Sequence, residues 1–82
     1  MRRRLMGRIW CRGAAVRYYL LTEQDMRGRW EYGVMVERAG EREEVPAIAP
    51  SRNGVQTLLN RMIRGRVTPA AARDVVEDWL SA

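Results

Sequence analysis

The sequence predicts an α+β fold, a small antiparallel β-sheet packed against a C-terminal helical hairpin. Two observations carry that prediction. Residues 29–38, RWEYGVMVER, alternate apolar and polar side chains with the period of two of a half-buried strand. After residue 50 the period changes, and apolar residues in SRNGVQTLLNRMIRG and TPAAARDVVEDWL recur at steps of three and four. Strands followed by helices, at a length of 82 residues, imply one two-layer domain with a limited core.

The first thirteen residues, MRRRLMGRIWCRG, form either a basic arm or an edge strand. As a strand, they place Leu5, Gly7, Ile9 and Cys11 on one side and Arg4, Met6, Arg8, Trp10 and Arg12 on the other. As a helix, Arg4, Arg8 and Arg12 still align, because four steps nearly close a 3.6-residue turn. Gly7 and the β-branched Ile9 favour the strand. Either conformation predicts a stripe of three guanidinium groups beside an indole.

The next segment, AVRYYLLT, is β-branched and aromatic and offers Val16, Tyr18 and Leu20 to one face. EQDMRG then has the acid, the glycine and the length of a hairpin loop, leading into the strand in which Trp30, Tyr32, Val34 and Val36 share the buried side. Ala39 and Gly40 make a second turn into EREEVPAIA. Pro46 cannot donate to a ladder, so this segment is expected at a sheet edge.

In the first helix Val55, Leu58, Leu59, Met62 and Ile63 make the apolar stripe; Ser51 or Asn53 caps its start, and Gly65 is expected to end it. The second helix begins at Thr68 with Pro69 in its first turn, where a missing N–H costs nothing, and its stripe is Ala72, Val75, Val76, Trp79 and Leu80.

Composition excludes much chemistry. The chain has no His and one Cys, so His-dependent nucleophile arrangements, an internal disulfide and the usual zinc ligand sets are all missing. No glycine-rich phosphate loop occurs. Asp74 and Asp78, four apart on a helix, are read as a solvated face with Arg73 set to pair with Glu77. We therefore expect no enzyme, no metal and no cofactor. No apolar run is long enough for an export signal or a membrane span, and a lone thiol suits a reducing cytoplasm.

What remains is charge. All fifteen basic residues are Arg, and the net charge is +5. Residues 1–20 carry six Arg and no acid, whereas residues 21–50 carry seven acids against four Arg. A basic stripe attracts a polyanion by releasing counterions from its phosphates, and an aromatic ring among arginines can stack on a base. The leading expectation is a small interaction protein that binds nucleic acid, or a nucleic-acid-bound protein, through Arg4, Arg8, Trp10 and Arg12, with Arg2 and Arg3 as an extension. The alternatives are an inhibitor or adaptor whose acidic edge, Glu41, Glu43 and Glu44, grips a protein target, a self-associating homodimer, and a solvated edge strand whose arginines pair with glutamates. A helix-turn-helix reading is disfavoured because the second helix would present Pro, Ala and acids to DNA, with only Arg73 suited to it.

In their order, WEYGVMVE, SRNGVQTLLNRMIRG and VTPAAARDVVEDWL resemble a small bacterial family known only as a domain of unknown function, over roughly residues 16 to 80. The resemblance implies a compact α+β domain and assigns no activity and no functional residue.

Overall fold

The computed structural model describes all 82 residues. Four strands, β1 (Arg2–Cys11), β2 (Ala14–Gln24), β3 (Trp30–Arg38) and β4 (Glu41–Ala49), precede two helices, α1 (Arg52–Arg64) and α2 (Pro69–Ser81). The strands form one antiparallel sheet in chain order, with β1 and β4 at its edges, and both helices lie on one face. This is the α+β sandwich expected from the sequence. The N-terminal segment is a strand, and the Pro46 segment is an edge strand.

The turns explain the tight meander. Arg12 and Gly13 between β1 and β2, and Ala39 and Gly40 between β3 and β4, all have positive φ, as two-residue hairpin loops that follow the right-handed strand twist require. The β2–β3 loop is held by Asp25, whose Oδ1 accepts the backbone N–H groups of Arg27 and Arg29 at 2.8 and 2.9 Å. These bonds, chiefly the one from Arg29, hold the Asp25 carboxyl below the usual carboxylate range.

The core lies between the sheet and the helices. Val16, Tyr18 and Leu20 of β2 and Val34 and Val36 of β3 meet Val55, Leu58, Leu59 and Met62 of α1 and Ala72 and Val76 of α2. No buried side-chain polar atom lacks a hydrogen bond. The Tyr18 hydroxyl donates to the Val67 carbonyl at 2.8 Å, pinning the junction between the helices to the middle of the sheet. Burial pushes the Tyr18 phenol above its ordinary pKa; nearby Cys11 adds to this and Arg66 opposes it. On the uncovered face Leu21 and Met35 are buried outside this main cluster.

Two irregularities shape the sheet. Between Leu5 and Gly7 the β1–β2 register slips by one residue at Met6, a β-bulge. Between Tyr32 and Val34 the β3–β4 register jumps from Ala49 to Val45, so Pro46, Ala47 and Ile48 leave the ladder. Gly33 lies beneath that excursion. A Cβ there would sit 2.6 Å from Pro46 Cα and would overlap the Val45 carbonyl oxygen, so only glycine fits.

One helix cap departs from expectation, that of Thr68. Ser51, one of the two expected caps, starts α1, accepting the Gly54 N–H at 3.1 Å. Gly65 ends α1 as expected but stays right-handed, and Arg66 takes the left-handed position at φ 53, with Arg66 N–H bonded to Ile63 O and Val67 N–H to Met62 O in the manner of a Schellman motif. Thr68 precedes α2, but its side chain makes no capping bond. Leu80 is 55% exposed rather than part of the buried α2 stripe.

Candidate nucleic-acid interface

The bulge at Met6 decides where the basic residues go. From Gly7 onward the odd positions face the helices: Gly7 stands opposite Tyr18 and Ile9 opposite Val16, and Ile63 lies directly over Gly7. Before the bulge the phase inverts, so Arg4 opposes Leu20 and Arg2 opposes Thr22 on the helix side, whereas Arg3 opposes Leu21 on the outer side. Met6 itself packs against the core. The expected stripe therefore does not form. Arg8 and Trp10, the latter 67% exposed, are on the outer face; Arg4 is on the opposite face; Arg12 sits in the β1–β2 turn. A single extra residue in the ladder separates Arg4 from Arg8, and the end of β1 at Cys11 takes Arg12 out of the strand.

A different cluster takes its place. Strands of 10 and 11 residues extend about 33 Å, but each 13-residue helix is only about 20 Å long, so the sheet overhangs the helices at both ends. At the end where β1 begins, the overhang opens a groove of about 480 Å³ lined by Arg2, Arg3, Arg4, Leu20, Thr22, Trp30, Tyr32 and Arg52. Arg2 and Arg4 come from β1 on the helix side, and Arg52 opens α1. Trp30, which the alternation predicted to be buried, is 50% exposed because it lies beyond the first turn of α1. Arg3 borders the groove, but its guanidinium lies 5.7 Å from the centroid of the Tyr19 ring.

None of these four arginines has a carboxylate within ion-pair distance. The four ion pairs of the chain belong to Arg17, Arg29, Arg42 and Arg73. The groove thus concentrates positive charge beside two aromatic side chains, with apolar Leu20 and the Thr22 hydroxyl in its floor.

The acidic edge is dispersed by the same pleat. Glu43 opposes Val36 on the helix side, where its carboxylate takes the Arg73 Nε at 2.8 Å. Glu44 opposes Met35 on the outer side, 3.9 Å from Arg42, and Glu41 lies next to the turn. The three therefore present no common surface. Arg73, expected to pair with Glu77, is held by Glu43 and by the Glu44 carbonyl at 3.1 Å. Cys11 is half-buried and packs against the core. No group of three or more Asp, Glu, Cys or His side chains is placed to hold a metal ion. No helix is long and apolar enough to cross a membrane.

Arg52, Trp30 and Tyr32 were not singled out as site residues from the sequence. Arg52 falls 48 positions after Arg4 and only the fold brings them together. Trp30 carried a faint signal: it is the terminal member of its alternating series, where helix cover runs out first.

Residues 11–82 match the family of unknown function DUF6514, and the chain belongs to that family. The matched stretch begins at Cys11, so Arg2, Arg3, Arg4, Arg8 and Trp10 precede it, whereas Trp30, Tyr32 and Arg52 fall inside it. No curated protein and no solved structure matches the chain.

Proposed function

We propose that this DUF6514 member is a binding protein, not a catalyst, that takes single-stranded nucleic acid in the groove between β1, the start of β3 and the start of α1. The observation that carries the reading is the convergence of Arg2, Arg4 and Arg52, all without carboxylate partners, on a concavity that also exposes half of Trp30. Guanidinium groups neutralise backbone phosphates, and an exposed indole provides a stacking surface for a base. Stacking needs an unpaired base, which favours a single strand over a duplex. A helix-turn-helix reader of duplex DNA would use α2 as its recognition helix, and the single arginine of α2 is occupied by Glu43.

The reading is tested by fluorescence anisotropy with labelled single-stranded oligonucleotides of mixed sequence, at low salt and again at higher salt. Binding that weakens steeply with salt, together with quenching of tryptophan emission that is lost in Trp30→Ala, supports it. Absence of binding at low salt, or binding indifferent to salt, overturns it.

A further inference from the structure

The opposite overhang holds a second basic concavity, of about 580 Å³, lined by Cys11, Arg12, Arg38, Arg66 and Thr68. It lies at the far end of β1, about 30 Å of strand from the groove that begins at Arg2. Three guanidinium groups converge there and none has a carboxylate partner. Glu41 stands across the ladder from Arg38 but makes no ion pair with it.

Two of the three are fixed by the fold. Arg38 Nε and Nη2 donate to the Cys11 carbonyl at 3.3 and 3.0 Å, and Nη2 also reaches the Arg12 carbonyl at 3.0 Å. Arg66 Nη2 donates to the Trp10 carbonyl at 2.6 Å. Each guanidinium has five N–H donors, so both retain donors that the protein does not use, held in position by the bonds it does make. Arg12 and Arg66 each adopt a left-handed backbone, at φ 51 and 53, a conformation that costs a non-glycine residue stability. The Thr68 hydroxyl at the head of α2 makes no capping bond, and the first turn of that helix has no acid.

We infer that this concavity is a site for a dianionic phosphate group, either the free ion or a terminal monoester. Arg12, Arg38 and Arg66 supply the charge and the Thr68 hydroxyl supplies a further donor. Three positive charges with no counterion match a monoester, at about −1.5 to −2 near neutral pH, better than a singly charged diester. The site is independent of the groove at the other end and shares no residue with it. The source of the phosphate is either inorganic phosphate or the terminal phosphate of a larger molecule such as an oligonucleotide.

Cys11 makes the site testable, because the only thiol of the chain lines it. The rate of Cys11 alkylation by iodoacetamide is measured in inorganic phosphate and in sodium chloride of equal ionic strength. If the occupied site is closed to the reagent, the rate falls saturably, about tenfold at ten times the dissociation constant. Arg12→Ala, chosen because that side chain makes no bond in the fold, weakens the protection. Arg4→Ala at the other end leaves it intact, which separates this site from the nucleic-acid groove. A 5′-phosphorylated oligonucleotide that protects at lower concentration than its unphosphorylated counterpart assigns the source to a terminal phosphate; equal behaviour of the two, with protection by inorganic phosphate, assigns it to the free ion. Equal alkylation rates in phosphate and chloride overturn the inference, as does protection unchanged by Arg12→Ala. Should the half-buried thiol prove unreactive, amide shifts in a phosphate titration give the same reading. Changes confined to residues 11–13, 38 and 66–70 support the site, and changes elsewhere or none refute it.

Discussion

Removing guanidinium groups from the groove one at a time should lower the salt dependence of nucleic-acid binding in equal steps. Arg2, Arg4 and Arg52 face the groove without internal partners, whereas Arg3 is engaged over Tyr19. With three phosphates neutralised, a single strand gives a slope of about −2.1 in log affinity against log salt, since each contact contributes about −0.7. Affinity should then drop about 18-fold between 50 and 200 mM salt, by the same relation. Arg4→Ala should reduce the slope by about 0.7, and Arg4→Ala with Arg52→Ala should leave about −0.7, a loss of only about 2.6-fold over that salt range. Both side chains are exposed and unpaired, so folding should be little affected, which circular dichroism checks. The assay is anisotropy at four salt concentrations for each variant. A slope unchanged by the double substitution would sink the argument, because it would place the phosphate contacts elsewhere; the outer-face Arg8 and Trp10 would be the next surface to examine.

Tyr18→Phe should cost about 1 kcal/mol of stability in urea at neutral pH, the net worth of one buried hydrogen bond, here the one to Val67 O. It should also remove a pH effect: the folded phenol has a raised pKa, so the unfolded chain binds fewer protons above about pH 10, and wild-type stability should fall from there by up to about 1.4 kcal/mol per pH unit until the folded pKa is passed. A wild-type-minus-variant difference that stays flat across alkaline pH would contradict this. Gly33→Ala should destabilise by several kcal/mol or disrupt β4, because the added methyl meets backbone of Val45 and Pro46 instead of a movable side chain; Gly7→Ala should cost less, since it meets only the end of Ile63. Ala39→Gly should raise stability by about 1 kcal/mol by relieving a left-handed alanine, as read by urea midpoint. Glu43→Gln should cost under about 1 kcal/mol, because its pair with Arg73 is substantially exposed.

Most of the fold was legible because its signals are local and repeat. The alternation around Val34 and Val36, the 3–4 stripe through Val55, Leu58, Leu59 and Met62, Pro69 at the head of α2 and the turn at Ala39–Gly40 each depend on neighbours within one element. The misreadings occur where one element meets another. Leu80 fits the periodicity of α2, but periodicity does not say which members of a stripe another element covers. Gly65 ends α1 as read, but the left-handed position falls one residue later, on Arg66, whose side chain then reaches Trp10 O, 56 residues back along the chain. The bulge at Met6 has no marker in its own triplet, Leu5, Met6 and Gly7, beyond a glycine that also suits the close approach of Ile63.

The site was less legible because charge is counted along the chain and expressed across faces. Arg4, Arg8 and Arg12 share a face only if β1 keeps strict alternation, and one extra residue sends Arg4 to the helix side and leaves Arg8 outside. The same pleat separates Glu43 from Glu44 and gives Glu43 to Arg73 and Glu44 to Arg42, so two of the three edge carboxylates that a linear reading sets against the N-terminal arginines are taken locally. Their removal leaves Arg2, Arg4 and Arg52 at one end, and Arg12, Arg38 and Arg66 at the other, without countercharge inside the monomer. Both groups sit where strands outrun helices, which is also where the helix-facing side of the sheet is open to a ligand. Excess charge and open surface therefore coincide for one reason, the mismatch between strand and helix lengths, and lengthening α1 by a turn at its N-terminus should cover Trp30 and abolish binding at the first groove while leaving the second untouched.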